Sequence, residues 1–173
     1  MGYTIAICDD DKTMADKLTA SLKNEFMKAG RNDVIIDYYD TGVQLLEALK
    51  NKMYKAVLLD INMEPMDGFA VAEAIGKSGY RTKIIFVTSH EDVVYDTFDY
   101  TPFYFIRKSR YETYVQRVVK KLIAIDGYEK TIVLDDKDGI ININSGDITY
   151  VHSEDHYLTV HTADGNSYVI RKN

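Results

Sequence analysis

Apolar and polar positions follow two different rhythms along this chain, and the change falls near residue 126. Before it, short apolar runs alternate with amphipathic stretches. Tyr3 to Cys8 reads as a buried strand. Lys12 to Ala29 then places Met14, Leu18, Leu22 and Phe26 four residues apart, the spacing of a helix with one buried face. Gly30 closes that helix as a C-cap. A second strand covers Val34 to Tyr38, and a second helix runs from Thr41, its candidate N-cap, to Lys50. Ala56 to Leu59 is an apolar run ending on Asp60, with a helix over Phe69 to Gly76. Ile84 to Val87 ends on Thr88, a short helix covers Val93 to Phe98, and Phe103 to Ile106 runs up to Arg107 and Lys108. A last helix, Arg110 to Asp126, lines up Tyr114, Val118, Leu122 and Ile125.

Strand–helix repeats with nearly continuous apolar strands predict a parallel sheet covered on both faces. The expected fold is α/β, a flavodoxin-like doubly wound five-stranded sheet of order 2-1-3-4-5. Beyond residue 126 the runs become short and β-like: Ile132 to Leu134, Ile140 to Ile143, Ile148 to Val151, Leu158 to Val160 and Tyr168 to Ile170. Asp138-Gly139, Ser145-Gly146 and Asp164-Gly165-Asn166 punctuate them as turns. The expected organisation is therefore a domain over 1–126 and a small antiparallel β unit over 127–173, joined by a linker around Gly127.

The polar residues that interrupt the first rhythm all sit at the carboxyl ends of strands, where open doubly wound sheets bind ligands. Asp9 and Asp10 end the first strand and Asp60 the third, which are neighbours in the expected order. Clustered carboxylates repel one another unless a cation lies among them. A hard divalent ion suits oxygen ligands, and magnesium leaves room for phosphate oxygens. Thr88 ends the fourth strand with a hydroxyl donor, and Lys108 ends the fifth with an ammonium that can pair with a carboxylate and then with a phosphoryl oxygen. A carboxylate nucleophile, a metal and fixed donors are what phosphoryl transfer needs. Singly, each has a plainer reading: Asp9, Asp10 and Asp11 as solvated caps of the helix from Lys12, Thr88 as a loop hydroxyl, Lys108 as a surface cation.

Composition narrows the setting. No stretch approaches the roughly 18 apolar residues of a transmembrane helix, and the first ten residues reach acid without the pattern of a signal peptide. The single cysteine, Cys8, lies in an apolar run and allows no disulfide framework. A cytoplasmic protein without membrane partners is expected. The net charge of −6 leaves little to attract nucleic acid.

Ile5 to Asp10 continuing to Asp11, Leu58-Leu59-Asp60-Ile61-Asn62-Met63 with Met66-Asp67-Gly68, Val87-Thr88-Ser89, and Phe105-Ile106-Arg107-Lys108 together resemble the receiver domain of two-component response regulators, over roughly residues 1–125. The resemblance implies Asp60 as phosphoacceptor, served by a sensor histidine kinase. It implies Asp9, Asp10 and Asp60 with the Asn62 carbonyl as holders of Mg2+, Thr88 and Phe105 as switch residues, and Lys108 as the phosphate-contacting lysine. Such a protein is a switch and not a turnover enzyme, with self-catalysed phosphotransfer and autodephosphorylation only. Two departures stand out. Ser109 replaces the proline usual after the lysine, so a trans bond is expected there, since a non-proline cis bond costs about 2.5–4 kcal/mol. Glu64 adds a negative charge near the pocket mouth or simply points to solvent.

The tail from Gly146 to Val160, followed by Asp164-Gly165, resembles the first part of a LytTR-type DNA-binding domain. That implies transcription regulation through promoter DNA, with the loop from His152 to Tyr157 and His156 in particular as the contact. The portion over 127–173 would be incomplete, a truncated piece or a natural fragment. Glu154 and Asp155 oppose phosphate, with Arg171 and Lys172 the nearby cations, so weak or absent DNA binding is expected of this chain alone. Phosphorylation would shift an existing two-state equilibrium. The affected face holds the Val93 to Phe98 helix, the fifth strand and the last helix. Tyr95, Tyr100, Tyr104, Tyr111 and Tyr114, from a total of 14 tyrosines, suit it to a homodimer or to a half-buried monomer face. Among rival readings, a haloacid-dehalogenase-type phosphatase lacks its continuation after Asp9-Asp10-Asp11-Lys12-Thr13, and a flavodoxin-type cofactor site would be repelled by three acids. A degenerate receiver is opposed by the intact Asp60, Thr88 and Lys108 set.

Overall fold

A computed structural model describes residues 3–89, 100–128, 131–136 and 139–171. Its strands arise from the apolar runs: β1 (Tyr3–Cys8), β2 (Val34–Tyr39), β3 (Ala56–Asp60), β4 (Lys83–Thr88) and β5 (Tyr104–Arg107). They form one parallel sheet in the order β2-β1-β3-β4-β5. This is the doubly wound arrangement expected from the sequence. The helices between them are α1 (Lys12–Lys28), α2 (Gly42–Leu49), α3 (Gly68–Lys77) and, after β5, α4 (Tyr111–Tyr128). The helix expected over Val93 to Phe98, with Tyr95, lies outside the described residues.

Alternation along the strands divides the core. Tyr3, Ile5 and Ile7 face one way, and the Tyr3 ring meets Phe26 of α1 at 5.0 Å between centroids. Ala6 and Cys8 face the other way, into a cluster with Leu45 and Leu49 of α2 and Val71, Ala72 and Ile75 of α3. Each fully buried Leu, Ile or Phe contributes about 1.5–3 kcal/mol, so these layers hold the sheet's upper edge in a fixed register.

Caps set where the helices begin. Asp11 opens α1 by accepting from Thr13 N at 2.9 Å and Met14 N at 3.1 Å. Thr41 opens α2 by accepting from Gln44 N, and Asp67 opens α3 by accepting from Ala70 N at 2.8 Å. Gly30, at φ +77°, ends α1 in the left-handed conformation that the sequence suggested. Arg31 N donating to Phe26 O completes that end.

The chain clusters into two compact units, Met1–Val119 and Lys120–Asn173. α4 continues through Gly127, where a linker was expected; one glycine costs a helix interior only about 1 kcal/mol. The second unit is all β beyond that helix. β6 (Thr131–Asp136) pairs antiparallel with β7 (Gly139–Asn144), while β8 (Ile148–Glu154), β9 (Tyr157–Thr162) and β10 (Ser167–Arg171) form a three-stranded antiparallel sheet of order β10-β9-β8. All five expected β runs are strands, each longer by two or three residues than its apolar kernel.

Candidate functional site

The register brings the acids together. β1 and β3 run side by side with Cys8 opposite Leu59, so Asp9 and Asp60 emerge at the same edge. Both are buried, at 1% and 4% exposure, although each is a carboxylate. Ligand oxygens of Asp9, Asp10 and Asp60 lie within 4.8 Å of one another, with Asp10 exposed to solvent. The two readings open for the triple-Asp run thus divide by residue: Asp11 caps α1, whereas Asp9 and Asp10 join Asp60.

Lys108, two strands away from Asp60, reaches across this edge. Its Nζ donates to Asp9 Oδ1 at 3.1 Å and to Asp60 Oδ2 at 2.9 Å. Asp60 Oδ1 accepts from Ile61 N at 2.9 Å, and Asp9 Oδ1 also accepts from Asp11 N at 2.9 Å. Asp9 Oδ2 sits 2.9 Å from the same ammonium, yet it accepts no directed hydrogen bond and is fully buried. Burial pushes the carboxyls of Asp9 and Asp60 above the usual carboxylate range, with Lys108 pulling the other way. Burial also works against the Lys108 ammonium, but its bonds to Asp60 and Asp9 prevail and hold its pKa above the ordinary lysine value.

A buried carboxylate oxygen without a hydrogen bond, beside two further carboxylates, fits a hard divalent cation with oxygen ligands. The three acids can hold such an ion, with Asp10 on its solvent side. Asn62 is exposed at the start of the β3–α3 loop, next to this edge, and Glu64 is exposed to solvent as its plainer reading held.

The remaining residues line the next strands. Thr88 is 1% exposed at the end of β4, one position beyond Val87, the partner of Asp60. Phe105 pairs with Phe86 and lies on the same face of the sheet as Thr88, half-buried against the α2–α3 cluster. Lys108 opens a single 3-10 turn, Lys108–Arg110, that leads directly into α4. Among the described residues the cis peptide is Glu64–Pro65, so the Lys108–Ser109 bond is trans, as the missing proline implied.

Two contributors were not singled out in the sequence. Gly68 presses its backbone on the site: a Cβ there would fall 2.2 Å from Asp60 O, and Gly68 N donates to Ile61 O at 2.9 Å. Tyr38 donates its hydroxyl to the Asp9 carbonyl oxygen at 3.1 Å. The Met66-Asp67-Gly68 motif carried a signal for the first; a tyrosine in an edge strand carries none.

The expected tyrosine face divides. Tyr100 stacks on Phe69 at 5.2 Å and meets Phe86 at 6.3 Å, whereas Tyr104 meets Tyr114 of α4 at 6.4 Å on the opposite side of β5. Alternation along β5 turns Tyr104 to the α4 side, because Phe105 takes the face of its partner Phe86. In the second unit, His156 is exposed in the turn between β8 and β9, where Asp155 takes φ +46°. His152 and Glu154, also exposed, face each other at 3.9 Å.

The model of the response regulator receiver domain matches residues 5–120. The chain belongs to the response regulator receiver family. Transcriptional regulatory protein YpdB of Escherichia coli strain K12 is 28% identical over 90 residues, which are 52% of this chain and 37% of that protein. The chain therefore spans little more than a third of that curated relative. Sensory transduction protein LytT of Bacillus subtilis strain 168 is 23% identical over 180 aligned residues, covering 96% of this chain and 71% of LytT. That similarity extends beyond the receiver domain into the β unit. The crystal structure of the response regulatory domain of MrkE from Klebsiella pneumoniae superposes with a TM-score of 0.64 at 21% identity, over 72% of this chain and 98% of that one. The receiver domain thus has the fold of its family. No helix among the described residues is long and apolar enough to cross a membrane.

Proposed function

We propose that this chain is a phosphorylation-controlled switch in which Asp60 accepts a phosphoryl group from a sensor histidine kinase. Asp9, Asp10 and Asp60, with the Asn62 carbonyl, hold Mg2+ in this reading. The observation that carries it is the Lys108 ammonium, bridging the buried carboxylates of Asp9 and Asp60 from the end of a third strand. A structural ion pair needs one acid and one base; a second buried acid, and a third beside it, suits a transferred anion and its counter-ion.

Magnesium, when bound, neutralises charge on the phosphoryl oxygens. An Asp60 carboxylate oxygen attacks phosphorus as the bond to the kinase imidazole breaks, and that nitrogen keeps the electron pair and takes up a proton. The product is an acyl phosphate that water later hydrolyses, so each cycle transfers one group and the chain is not a turnover enzyme. Lys108 exchanges its contact with Asp60 for one with a phosphoryl oxygen. Thr88, on the neighbouring strand, donates its hydroxyl to another. Phe105 shares the face of Thr88 and fills the space its movement opens, which biases an existing equilibrium of packings.

The output is DNA binding of the LytTR type, with His156 in the β8–β9 turn as a contact. The relatives support this: one is named a transcriptional regulatory protein, and the likeness to LytT runs through the β unit. Dimerisation would use the β5–α4 side, where Tyr104 meets Tyr114. Beryllofluoride, a phosphoryl mimic, tests the switch. With Mg2+ it should displace the amide resonances of Asp60, Thr88, Phe105 and Lys108 in the parent and leave Asp60→Asn unmoved. Resonances unchanged in both proteins would contradict the reading.

A further inference from the structure

β2, the edge strand of the sheet, grips Asp9 at two points. Asp9 N donates to Tyr39 O at 3.2 Å, which extends the ladder past its last paired residues, Cys8 and Tyr39. The Asp9 carbonyl lies beyond the ladder and has no strand partner there; Tyr38 Oη donates to it at 3.1 Å instead. That carbonyl belongs to the peptide joining Asp9 to Asp10, the two acids that share the cluster with Asp60. With its N–H and its carbonyl both held from β2, Asp9 has a set direction for its side chain, and the same peptide sets where the Asp10 backbone begins.

The Tyr38 ring is itself held. Lys12, the first residue of α1, places Nζ 4.6 Å from the ring centroid and also pairs with Asp16. The ring therefore spans from β2 to the start of α1, across the loop that carries Asp9, Asp10 and Asp11. The neighbouring tyrosine does something different. Tyr39 touches Asp9 through its backbone alone: its Oη meets Tyr54 Oη at 2.5 Å, and Tyr54 Oη donates to Asp37 at 2.5 Å.

We infer that Tyr38 is a positioning residue of the cation site, setting the Asp9–Asp10 peptide so that both carboxylates meet one ion. The inference rests on the cation-site reading above. Groups that orient metal ligands from behind typically change affinity by about 10–100-fold when removed.

Calorimetric titration of the full chain with MgCl2 tests it, using the parent, Tyr38→Phe and Tyr54→Phe, with metal-free unfolding midpoints measured alongside. Tyr38→Phe keeps the ring and its cation contact. It should raise the Mg2+ dissociation constant about tenfold and leave the metal-free midpoint close to that of the parent. Tyr54→Phe should lower the midpoint and keep the parent's affinity. In phosphorylation by a small acyl phosphate, Tyr38→Phe should need more Mg2+ for half-maximal rate and reach the same plateau. Equal affinity in Tyr38→Phe and the parent would overturn the inference and leave the cation site intact. A parent that binds no Mg2+ would overturn the cation-site reading itself.

Discussion

Lys108 is the residue on which the resting site turns. Two buried carboxylates share its ammonium, at 2.9–3.1 Å, and without it both would be left uncompensated. Removing one partner of a buried ion pair costs about 3 kcal/mol or more, so Lys108→Met should lower metal-free stability by about that much at neutral pH. The sign of the pH dependence follows from the acids. Their folded pKa values stand above the ordinary range, and losing Lys108 raises them further, so the folded state gains protons ahead of the unfolded one. The deficit should therefore be largest near neutrality and shrink as pH falls toward about 4, the unfolded carboxylate value. Denaturant midpoints of parent and variant at several pH values measure this. A deficit that stays constant with pH would mean that Asp9 and Asp60 are not the groups Lys108 serves.

At the scale of elements, what the sequence made legible was what local chemistry dictates. Apolar runs marked the strands, the four-residue spacing of Met14, Leu18, Leu22 and Phe26 marked α1, and acids at strand ends marked the edge of the site. Two kinds of feature were not legible. The Tyr38 contact with Asp9 spans 29 residues; the expected strand order sets β2 beside β1, but no local pattern says which β2 side chain reaches past the ladder to a backbone carbonyl. The division of the tyrosines depends on which residue of β5 faces which layer, and a register shift of one would reverse it. Gly127 read as a linker because glycine weakens helices, whereas α4 runs through it. α3 begins where it does because Asp67 caps it and Gly68 admits the Asp60 carbonyl. Gly68→Ala would force a methyl into 2.2 Å of that oxygen and 2.9 Å of Ile61 Cα, both backbone, so neither can swing aside. A cost of about 1–3 kcal/mol is expected, read as a lower denaturant midpoint at unchanged slope. An unchanged midpoint would show that the β3–α3 junction yields more easily than its packing implies.

At the scale of the whole molecule, charge separates the two units' prospects. From residue 131 onward the sequence holds seven acids against three Lys and Arg. Phosphate contacts dominate affinity for DNA, so this chain alone should produce no electrophoretic shift of duplex DNA at nanomolar protein. A salt-sensitive shift at that concentration would place a basic surface in the β unit that its sequence does not suggest. The receiver domain makes the stronger claim, because a cation and a phosphoryl group each answer a charge imbalance already built into its sheet edge. Intact mass after incubation with a small acyl phosphate tests that claim most directly, with and without Mg2+ and beside Asp60→Asn. One added phosphoryl group is expected on the parent in Mg2+, none after chelation of the metal, and none on the variant. A folded parent that gains no mass in Mg2+, or an Asp60→Asn variant that gains as much as the parent, would contradict the claim.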